Sequence, residues 1–315
     1  MSILALDLGG TKLASAIFSE SGKLLFKETT PLEKSKGREV GGLITGQCKK
    51  LLKHNFTTIG ISVPGISRGK TGTVWAPNIE GWDNYPLLEE IQHGFPEMKV
   101  YIDSDRACSI YGELWQGNAK GCRDAIFLAV GTGIGAGIIS GGHLIRGSHD
   151  IAGAVGWMAL PKPFDPKFIP CGCFEFYASG AGIAKFTREI LLAHHADSVL
   201  RVIAPEEITA SHVFEAFDQQ DEIATLVIDE CISFWGMAAA NLVSIFNPEK
   251  IIFGGGIFGP ASKFINAIKT EASKWAQPIS ITQVTFEQSA LGGDAAVYGA
   301  GFLALTNSAR SDNVI

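Results

Sequence analysis

The chain opens with short apolar runs of the kind that form buried strands. Ile3–Asp7 is apolar up to its final aspartate and is followed by glycines, which predicts a strand that ends in a tight turn. The runs at 13–18 and 23–29 continue as strands and predict a β-meander. A similar arrangement begins at Ala125–Val130, where the glycine-rich stretch Gly131–Gly137 precedes another apolar run. Two such hairpins predict two related α/β halves.

Helices and strands alternate through the rest of the chain. Helical periodicity is present at 40–52, 105–115, 180–193, 208–217, 222–245, 261–275 and 290–305. Strand patterns are present at 58–63, 100–102, 251–253 and 279–286. The alternation predicts an α/β fold. No low-complexity linker divides the chain, so we expect the domain boundary in ordinary sequence, near 115–123.

The composition is that of a packed globular protein. The 315 residues suffice for two domains, and 46% of them are hydrophobic against 18% charged. The net charge is −6 and no Lys/Arg cluster occurs, which argues against nucleic-acid binding. The N-terminus lacks the features of a signal peptide, and the apolar runs at 125–130 and 242–246 are too short to span a bilayer. We therefore expect no membrane association, a cytoplasmic location and mostly reduced thiols among the six cysteines.

Two glycine-rich turns could hold phosphate groups. Glycines in Asp7–Lys12 let backbone N–H groups approach an anion, Thr11 adds a hydroxyl donor, and the Asp7 carboxylate could hold phosphate-bound Mg²⁺. Alone, this turn could equally be a surface hairpin with an exposed acid. The second turn, Gly131–Gly135, favours the phosphate interpretation, because a triphosphate needs several converging donors.

A third glycine-rich turn, Gly254–Gly259, matches G-x-G-x-x-G between a strand and a helix, with Glu287 after the next strand. This pattern is typical of dinucleotide-binding proteins. However, it lies near the C-terminus, where too few strands follow it to complete such a domain. A turn of this kind also suits the adenosine end of ATP. No Walker A motif occurs in the sequence, which argues against a P-loop fold.

The order of the motifs carries a resemblance to a known family. Seven motifs occur in the order seen in the ROK family: Asp7–Lys12, Gly60–Gly65, Ala76–Asn78, Ser104-Asp105, Gly131–Gly135, Gly172–Gly180 and Phe253–Gly256. The chain thus resembles that family of sugar kinases and sugar-responsive repressors along essentially its whole length. The resemblance implies an α/β fold of two actin-like (ribonuclease H-like) domains, with ATP and a sugar in the cleft between them, and a homodimer. We expect domains at 1–117 and 118–291, with a helix at about 292–315 packing back on the first.

The resemblance also assigns roles to residues. Asp105 matches the general base of the family, which takes the proton of the attacking sugar hydroxyl. The alternative is a helix N-terminal acid that the helix dipole stabilises, and the two interpretations do not exclude each other. The predicted ATP-binding residues are Asp7, Gly9, Gly10, Thr11, Lys12, Gly131, Thr132, Gly133, Gly254, Gly255 and Gly256. The predicted sugar-binding residues are Gly65, Asn78, Ser104, Asp105, Trp157 and Glu175. A turn role for Asn78 and an exposed surface position for Glu175 stay open.

This chain departs from the family where the sugar and zinc are held. Where the family reads A-G-E-x-G-H, Ala154 replaces the glutamate that grips the sugar, and Trp157 replaces the histidine that touches the sugar and binds zinc. The family's three-cysteine motif is shortened to Cys171-Gly-Cys173, which falls short of four zinc ligands, so we expect no zinc. Trp157 could offer an apolar face to a sugar or its substituent, or could be a core residue.

Two functions follow from these features. The first is ATP-dependent phosphorylation of a hexose or hexose derivative, as in a glucokinase of the family. The second is a catalytically impaired protein that binds sugar or nucleotide in a regulatory role, suggested by Ala154, Trp157 and by Ser104 in place of the usual asparagine. A DNA-binding repressor is disfavoured, because only six residues precede Asp7.

Overall fold

The computed structural model of the protein describes residues 2–33, 35–160 and 163–311, and side chains as far as residue 308. Contacts between Cα atoms divide it into two units. Unit 1 consists of the chain up to Gly121, Leu144–Ala152 and the chain from Asp294 onwards. Unit 2 consists of Cys122–His143 and Gly153–Gly293.

Both units contain strands and helices. The strands are β1 (Ser2–Leu8), β2 (Lys12–Ser19), β3 (Leu24–Pro31), β4 (Phe56–Val63), β5 (Ile66–Arg68), β6 (Thr73–Trp75), β7 (Lys99–Ser104), β8 (Ala125–Val130), β9 (Ile134–Ser140), β10 (His143–Leu144), β11 (Lys250–Gly254) and β12 (Thr285–Gln288). The helices are α1 (Arg38–Leu51), α2 (Leu87–Gly94), α3 (Asp105–Gln116), α4 (Cys173–Ala178), α5 (Gly180–Ala193), α6 (Ala210–Asp218), α7 (Glu222–Phe246), α8 (Ile265–Ala272), α9 (Ser280–Gln283) and α10 (Ala295–Ser311).

The main sheet of unit 1 has the order β3-β2-β1-β4-β7. The first three strands are antiparallel, as the predicted meander requires, while β4 and β7 run parallel to β1. Alternate residues of β1 face different cores, since Leu4 and Leu6 pack in one hydrophobic cluster and Ala5 in another. The carboxyl ends of β1, β4 and β7 therefore meet at one edge, where side chains of all three can converge.

The closing helix α10 packs within unit 1 at very short range. A Cβ on Gly60 of β4 would lie 1.9 Å from the Ala300 carbonyl oxygen, and one on Gly112 of α3 would lie 2.1 Å from that of Ala295. A Cβ on Gly299 of α10 would in turn lie 1.6 Å from the Cys108 carbonyl oxygen. Glycine is required at these positions because the backbones touch. Residues 312–315 of the predicted helix lie outside the described residues.

Unit 2 repeats the strand order of unit 1 in its sheet β10-β9-β8-β11-β12. Strands β8 and β9 are antiparallel, and β11 runs parallel to both β8 and β12. The internal repeat predicted from the two hairpins is thus confirmed. Helix α7 is apolar enough to cross a membrane, with a mean hydropathy of 1.5, but 67% of its most apolar 18-residue window is buried. It packs as a core helix, with Trp235 and Phe234 in the hydrophobic cluster of unit 2.

Some sequence predictions were wrong in detail. The strand predicted at 279–286 is helix α9 followed by β12, because the Gln277 side chain accepts hydrogen bonds from the backbone N–H groups of Ile279 and Ser280 at 2.8 Å and starts a helical turn. The helix predicted at 261–275 begins as a 3₁₀ turn and is α-helical only over α8. The segment Leu144–Ala152 lies in unit 1, although the sequence prediction placed it in the second domain.

Candidate functional site

One edge of the unit 1 sheet carries Asp7, Ser62 and Asp105 at or directly after the ends of β1, β4 and β7. Asp7 near the end of β1 lies level with Ser62 on β4, and Ser62 lies level with Asp103 on β7. The Ser62 hydroxyl donates a hydrogen bond of 2.7 Å to Asp7 Oδ1. Asp105 follows two residues after Asp103, as the first residue of α3. Three parallel strand ends therefore place two carboxylates of separate sequence motifs at one edge.

The two carboxylates are perturbed by this environment. Burial raises the pKa of Asp7 to about 6, and the nearby charge of Asp105 also raises it, while the hydrogen bond from Ser62 acts in the opposite direction. Burial likewise raises the pKa of Asp105, opposed by the charge and backbone N–H of Arg106. Asp7 therefore has little compensating charge, which is the environment in which a carboxylate gains from a bound cation.

The start of α3 fixes where Asp105 lies. Ser104 is the N-cap residue, and its hydroxyl accepts a hydrogen bond of 3.4 Å from the backbone N–H of Ala107. Asp105 Oδ1 accepts one of 2.8 Å from the N–H of Arg106. Asp103, two residues before Asp105, belongs to β7 rather than to the helix, is buried and is paired with Arg146.

The first glycine turn lies at the same edge of unit 1. Its turn is closed by a hydrogen bond of 2.9 Å from Gly9 N–H to the Lys12 carbonyl, and Gly10, Thr11 and Lys12 are exposed. A Cβ on Gly10 would lie 3.8 Å from Asn78 Nδ2, so the predicted sugar-binding amide is exposed beside this turn. The predicted phosphate-binding and sugar-binding groups of unit 1 are therefore neighbours.

Gly65, another predicted sugar-binding residue, has a clear structural role. Its φ is 81°, and a Cβ at this position would lie 2.2 Å from the Trp75 carbonyl oxygen. Only glycine allows the chain to turn there into the small β5–β6 sheet, which the sequence analysis did not predict.

The second glycine turn is tied to Glu175 within unit 2. Glu175 on α4 is half-buried, and its Oε2 accepts a hydrogen bond of 2.6 Å from the backbone N–H of Ile134. A Cβ on Gly133 would lie 2.7 Å from the same oxygen, while one on Gly131 would meet open space and Thr132 is exposed. An exposed surface position for Glu175 is thus excluded. The carboxylate supports the turn, and burial raises its pKa.

The third glycine turn adjoins the second. Gly255 has a φ of 85°, and a Cβ there would lie 2.4 Å from the Val130 carbonyl oxygen, whereas one on Gly256 would meet open space. A Cβ on Gly254 would clash with Phe127. The backbone N–H of Gly180, at the start of α5, donates a 2.7 Å hydrogen bond to the Gly131 carbonyl. Two glycine turns and a helix start therefore converge in unit 2, which the sequence analysis had only partly anticipated. Glu287, the acid of the dinucleotide-type pattern, pairs with Lys250 at 2.9 Å.

The segment that departs from the family motif exposes an aromatic ring. Trp157 is 57% exposed, so the interpretation of Trp157 as a core residue was wrong. It follows Gly156, where a Cβ would lie 3.0 Å from Glu175 Oε2, which places the Trp157 backbone near that carboxylate. Cys173 is buried and Cys171 half-buried. Among the described residues, no group of three or more His, Cys, Asp and Glu side chains is placed to hold a metal ion.

Sequence reasoning missed Ser62 and Arg146 as parts of this site. Ser62 lies inside the Gly60–Gly65 motif, near the end of β4. The alternation of side chains along that strand was the signal that could have placed it on the same face as Asp7. Arg146 had no local signal, because its partner Asp103 lies 43 positions earlier in the chain.

Comparison with known proteins agrees with this architecture. Two units that repeat one strand order define an actin-like two-domain α/β protein, the fold of the solved ROK sugar kinases that the chain resembles. The ROK family model matches residues 3–307, and this chain belongs to the ROK family.

Individual relatives are similar over nearly their whole length. The glucokinase of Halalkalibacterium halodurans is 31% identical over 318 aligned positions, which cover 95% of this chain and 94% of that protein. The glucokinase of Thermotoga maritima is 30% identical and covers 95% of this chain and 96% of its own. The crystal structure of a ROK family glucokinase from Streptomyces griseus in complex with glucose and AMPPNP has a TM-score of 0.80 at 27% identity, covering 97% of this chain and 100% of that one.

Proposed function

We propose that this protein transfers the γ-phosphoryl group of ATP to a hydroxyl of a hexose or hexose derivative. The observation that carries the proposal is the placement of Asp7 near the end of β1 and of Asp105 directly after β7, at the same edge of the sheet and on either side of β4. The two are close enough for the charge of Asp105 to contribute to the raised pKa of Asp7, which is caused mainly by burial. Phosphoryl transfer needs one carboxylate as the base for the sugar hydroxyl and another as a ligand for the phosphate-bound cation. The relatives named glucokinase, at 30–31% identity, support the same reaction.

Asp105 is the general base of this proposal. The attacking sugar oxygen gives its proton to the Asp105 carboxylate as it bonds to the γ-phosphorus, and ADP leaves from the opposite side. Burial raises the pKa of Asp105, which makes its carboxylate a stronger base than an exposed aspartate. The hydrogen bond from Arg106 N–H holds one carboxylate oxygen, so the other is available for the hydroxyl.

The residues present fit a magnesium ion held with the nucleotide phosphates. Asp7 is a hard oxygen ligand whose pKa of about 6 reflects a carboxylate with little compensating charge. Mg²⁺, when bound, would neutralise charge on the phosphate oxygens. Backbone N–H groups of the three glycine turns are the donors that we assign to the nucleotide. A Cβ on Gly131 or Gly256 would meet open space, and one on Gly10 would meet only the Asn78 amide at 3.8 Å.

The sugar contacts follow from exposed or half-buried polar groups. We assign Asn78 and Glu175 to sugar hydroxyls, with Ser104 holding the helix start beside Asp105 and Trp157 offering an exposed ring face. The loss of a charged sugar ligand at Ala154 favours a hexose derivative with an apolar substituent over a plain hexose. On the resemblance to the family, we propose a cytoplasmic homodimer.

A coupled ADP-release assay tests the proposal. A panel of hexoses, N-acetylhexosamines and glycosides is screened with MgATP, and at least one sugar is expected to stimulate ADP release. Asp105→Asn keeps the size and hydrogen-bonding shape of the side chain but removes the base, and we expect kcat to fall by about 10²–10⁴-fold. Unchanged circular dichroism and melting would show that the fold is intact. A variant with near-wild-type kcat would remove Asp105 from the mechanism.

A binding protein without turnover is the second candidate, favoured by Ala154 and the exposed Trp157. In that case calorimetry detects sugar or nucleotide binding, while no sugar of the panel releases ADP. Binding and turnover with the same sugar would reject this candidate.

A further inference from the structure

The buried carboxylate of Asp103 is held by a guanidinium from a distant part of the chain. Arg146 Nη1 donates to Asp103 Oδ1 at 2.9 Å, and Arg146 Nη2 donates to Oδ2 at 2.5 Å. This fork-to-fork geometry is the strongest form of an arginine–carboxylate pair. The Asp103 side chain is only 3% exposed, while that of Arg146 is 41% exposed and so can be reached from solvent.

The Asp103–Arg146 pair lies beside the junction between β7 and α3, which directly precedes Asp105. Asp103 Oδ1 also accepts a hydrogen bond of 2.8 Å from the backbone N–H of Ser104, the N-cap residue of α3. Tyr111, which lies on α3 beyond Asp105, is near the guanidinium, because the charge of Arg146 opposes the rise that burial causes in the pKa of Tyr111. The guanidinium is therefore bonded to the end of β7 and lies near the body of α3, and Asp105 lies between Asp103 and Tyr111 in the chain.

Arg146 is itself held by a closed loop of unit 1. The backbone N–H of Ala152 donates to the Arg146 carbonyl at 3.1 Å, which joins the ends of this loop. Within the loop, Asp150 Oδ2 accepts a hydrogen bond of 3.2 Å from the backbone N–H of Gly69. Asp150 thus fixes the loop to the residue after β5, while Arg146 itself joins the loop to β7.

We propose that Arg146, through Asp103, is a positioning residue that sets the location of the Asp105 carboxylate for proton removal. The inference rests on the proposed kinase function. Arg146 contacts neither the nucleotide nor the sugar in this role. It fixes the strand-to-helix junction so that Asp105 is already placed when the hydroxyl arrives, and a displacement of about 1 Å at such a site can cost about 10²-fold in rate.

Kinetics of Arg146 variants test the role. Arg146→Met keeps the length of the side chain but removes the fork, and we expect kcat to fall by about 10–100-fold with KM for ATP changed less than about threefold. Arg146→Lys offers a single ammonium group in place of the fork, and its kcat is expected to lie between those of the wild type and Arg146→Met. In Arg146→Ala, added guanidinium ion should restore part of kcat. It should restore nothing in Asp105→Asn.

The control is another ion pair of unit 1. Lys50 pairs with Glu28 at 2.8 Å on the opposite edge of the sheet, beside β3, and Lys50→Met should leave kcat unchanged. Melting temperatures of all variants separate loss of folded protein from loss of turnover. An Arg146→Met protein that melts lower but keeps kcat per folded molecule would show that the pair is only structural and overturn the proposal.

Hydrogen exchange gives a readout that does not depend on activity. Amides at 104–107 are expected to exchange faster in Arg146→Met than in wild type, while Lys50→Met leaves them unchanged. If the wild-type protein phosphorylates no sugar, the proposed function fails, and the exchange data still decide whether Arg146 holds the junction. Unchanged exchange at 104–107 in Arg146→Met would refute the inference even in an active kinase.

Discussion

Asp7 should lower the stability of the ligand-free protein at neutral pH, although the proposed function requires it. Its pKa of about 6 in the folded protein lies above the ordinary value of 3.8. A carboxyl with a raised pKa adds stability below its unfolded pKa, in the protonated form, and that contribution is lost as the pH rises through the folded pKa. Asp7 therefore destabilises the ligand-free fold at neutral pH, and the loss develops between about pH 4 and pH 6.

The magnitude follows from the two pKa values. A rise from 3.8 to about 6 corresponds to about 3 kcal/mol, since one pKa unit is about 1.36 kcal/mol. Asp7→Asn removes the charge and keeps an oxygen that can accept the hydrogen bond of 2.7 Å from the Ser62 hydroxyl. We expect this variant to be more stable than wild type by about 3 kcal/mol at pH 8 and nearly equal to it at pH 4.

Urea denaturation of ligand-free protein at pH 4 and pH 8 provides the measurement. The matched control is Asp229→Asn, an exposed carboxylate on α7, whose effect should be small at both pH values. The same Asp7→Asn protein should lose affinity for MgATP, because the proposed cation ligand is gone. An Asp7→Asn variant that is less stable at pH 8, or equally affected at both pH values, would refute the account of Asp7.

Two further substitutions test the nucleotide and sugar sites. Gly255→Ala should cost at least about 2 kcal/mol of stability, because its φ is 85° and the new Cβ would meet a carbonyl at 2.4 Å. In Gly256→Ala the new Cβ would meet open space, so the variant should keep its stability but show a raised KM for ATP. Equal melting temperatures for the two variants would contradict this contrast. Trp157→Ala should change stability by less than about 1 kcal/mol, because the ring is 57% exposed, yet alter the ranking of sugars in the ADP-release panel; an unchanged ranking would remove Trp157 from the sugar site.

Local sequence patterns determined most of the architecture. The apolar run before Asp7 and the run at Ala125–Val130 predicted strands that the structure contains, because alternation and terminal glycines act over a few residues. The order of seven short motifs, the glycine turns among them, was enough to indicate the family. Failures at this level were also local. The β-branched run at 279–286 has strand propensity, but the Gln277 side chain accepts hydrogen bonds from the backbone N–H groups of Ile279 and Ser280, and the first half of the run is a helix.

What only the tertiary structure decided was the pairing of groups far apart in the chain. The hydrogen bond between Ser62 and Asp7 requires the parallel register of β1 and β4, and the ion pair of Arg146 with Asp103 requires a loop to return to the end of β7. The exposure of the Trp157 side chain could not be predicted from the sequence either, since an aromatic residue in a short motif is compatible with a core or a surface position. Sequence patterns report the preference of each segment for a conformation. Charge, burial and pKa depend on which segments meet, and that is settled only when the chain is packed.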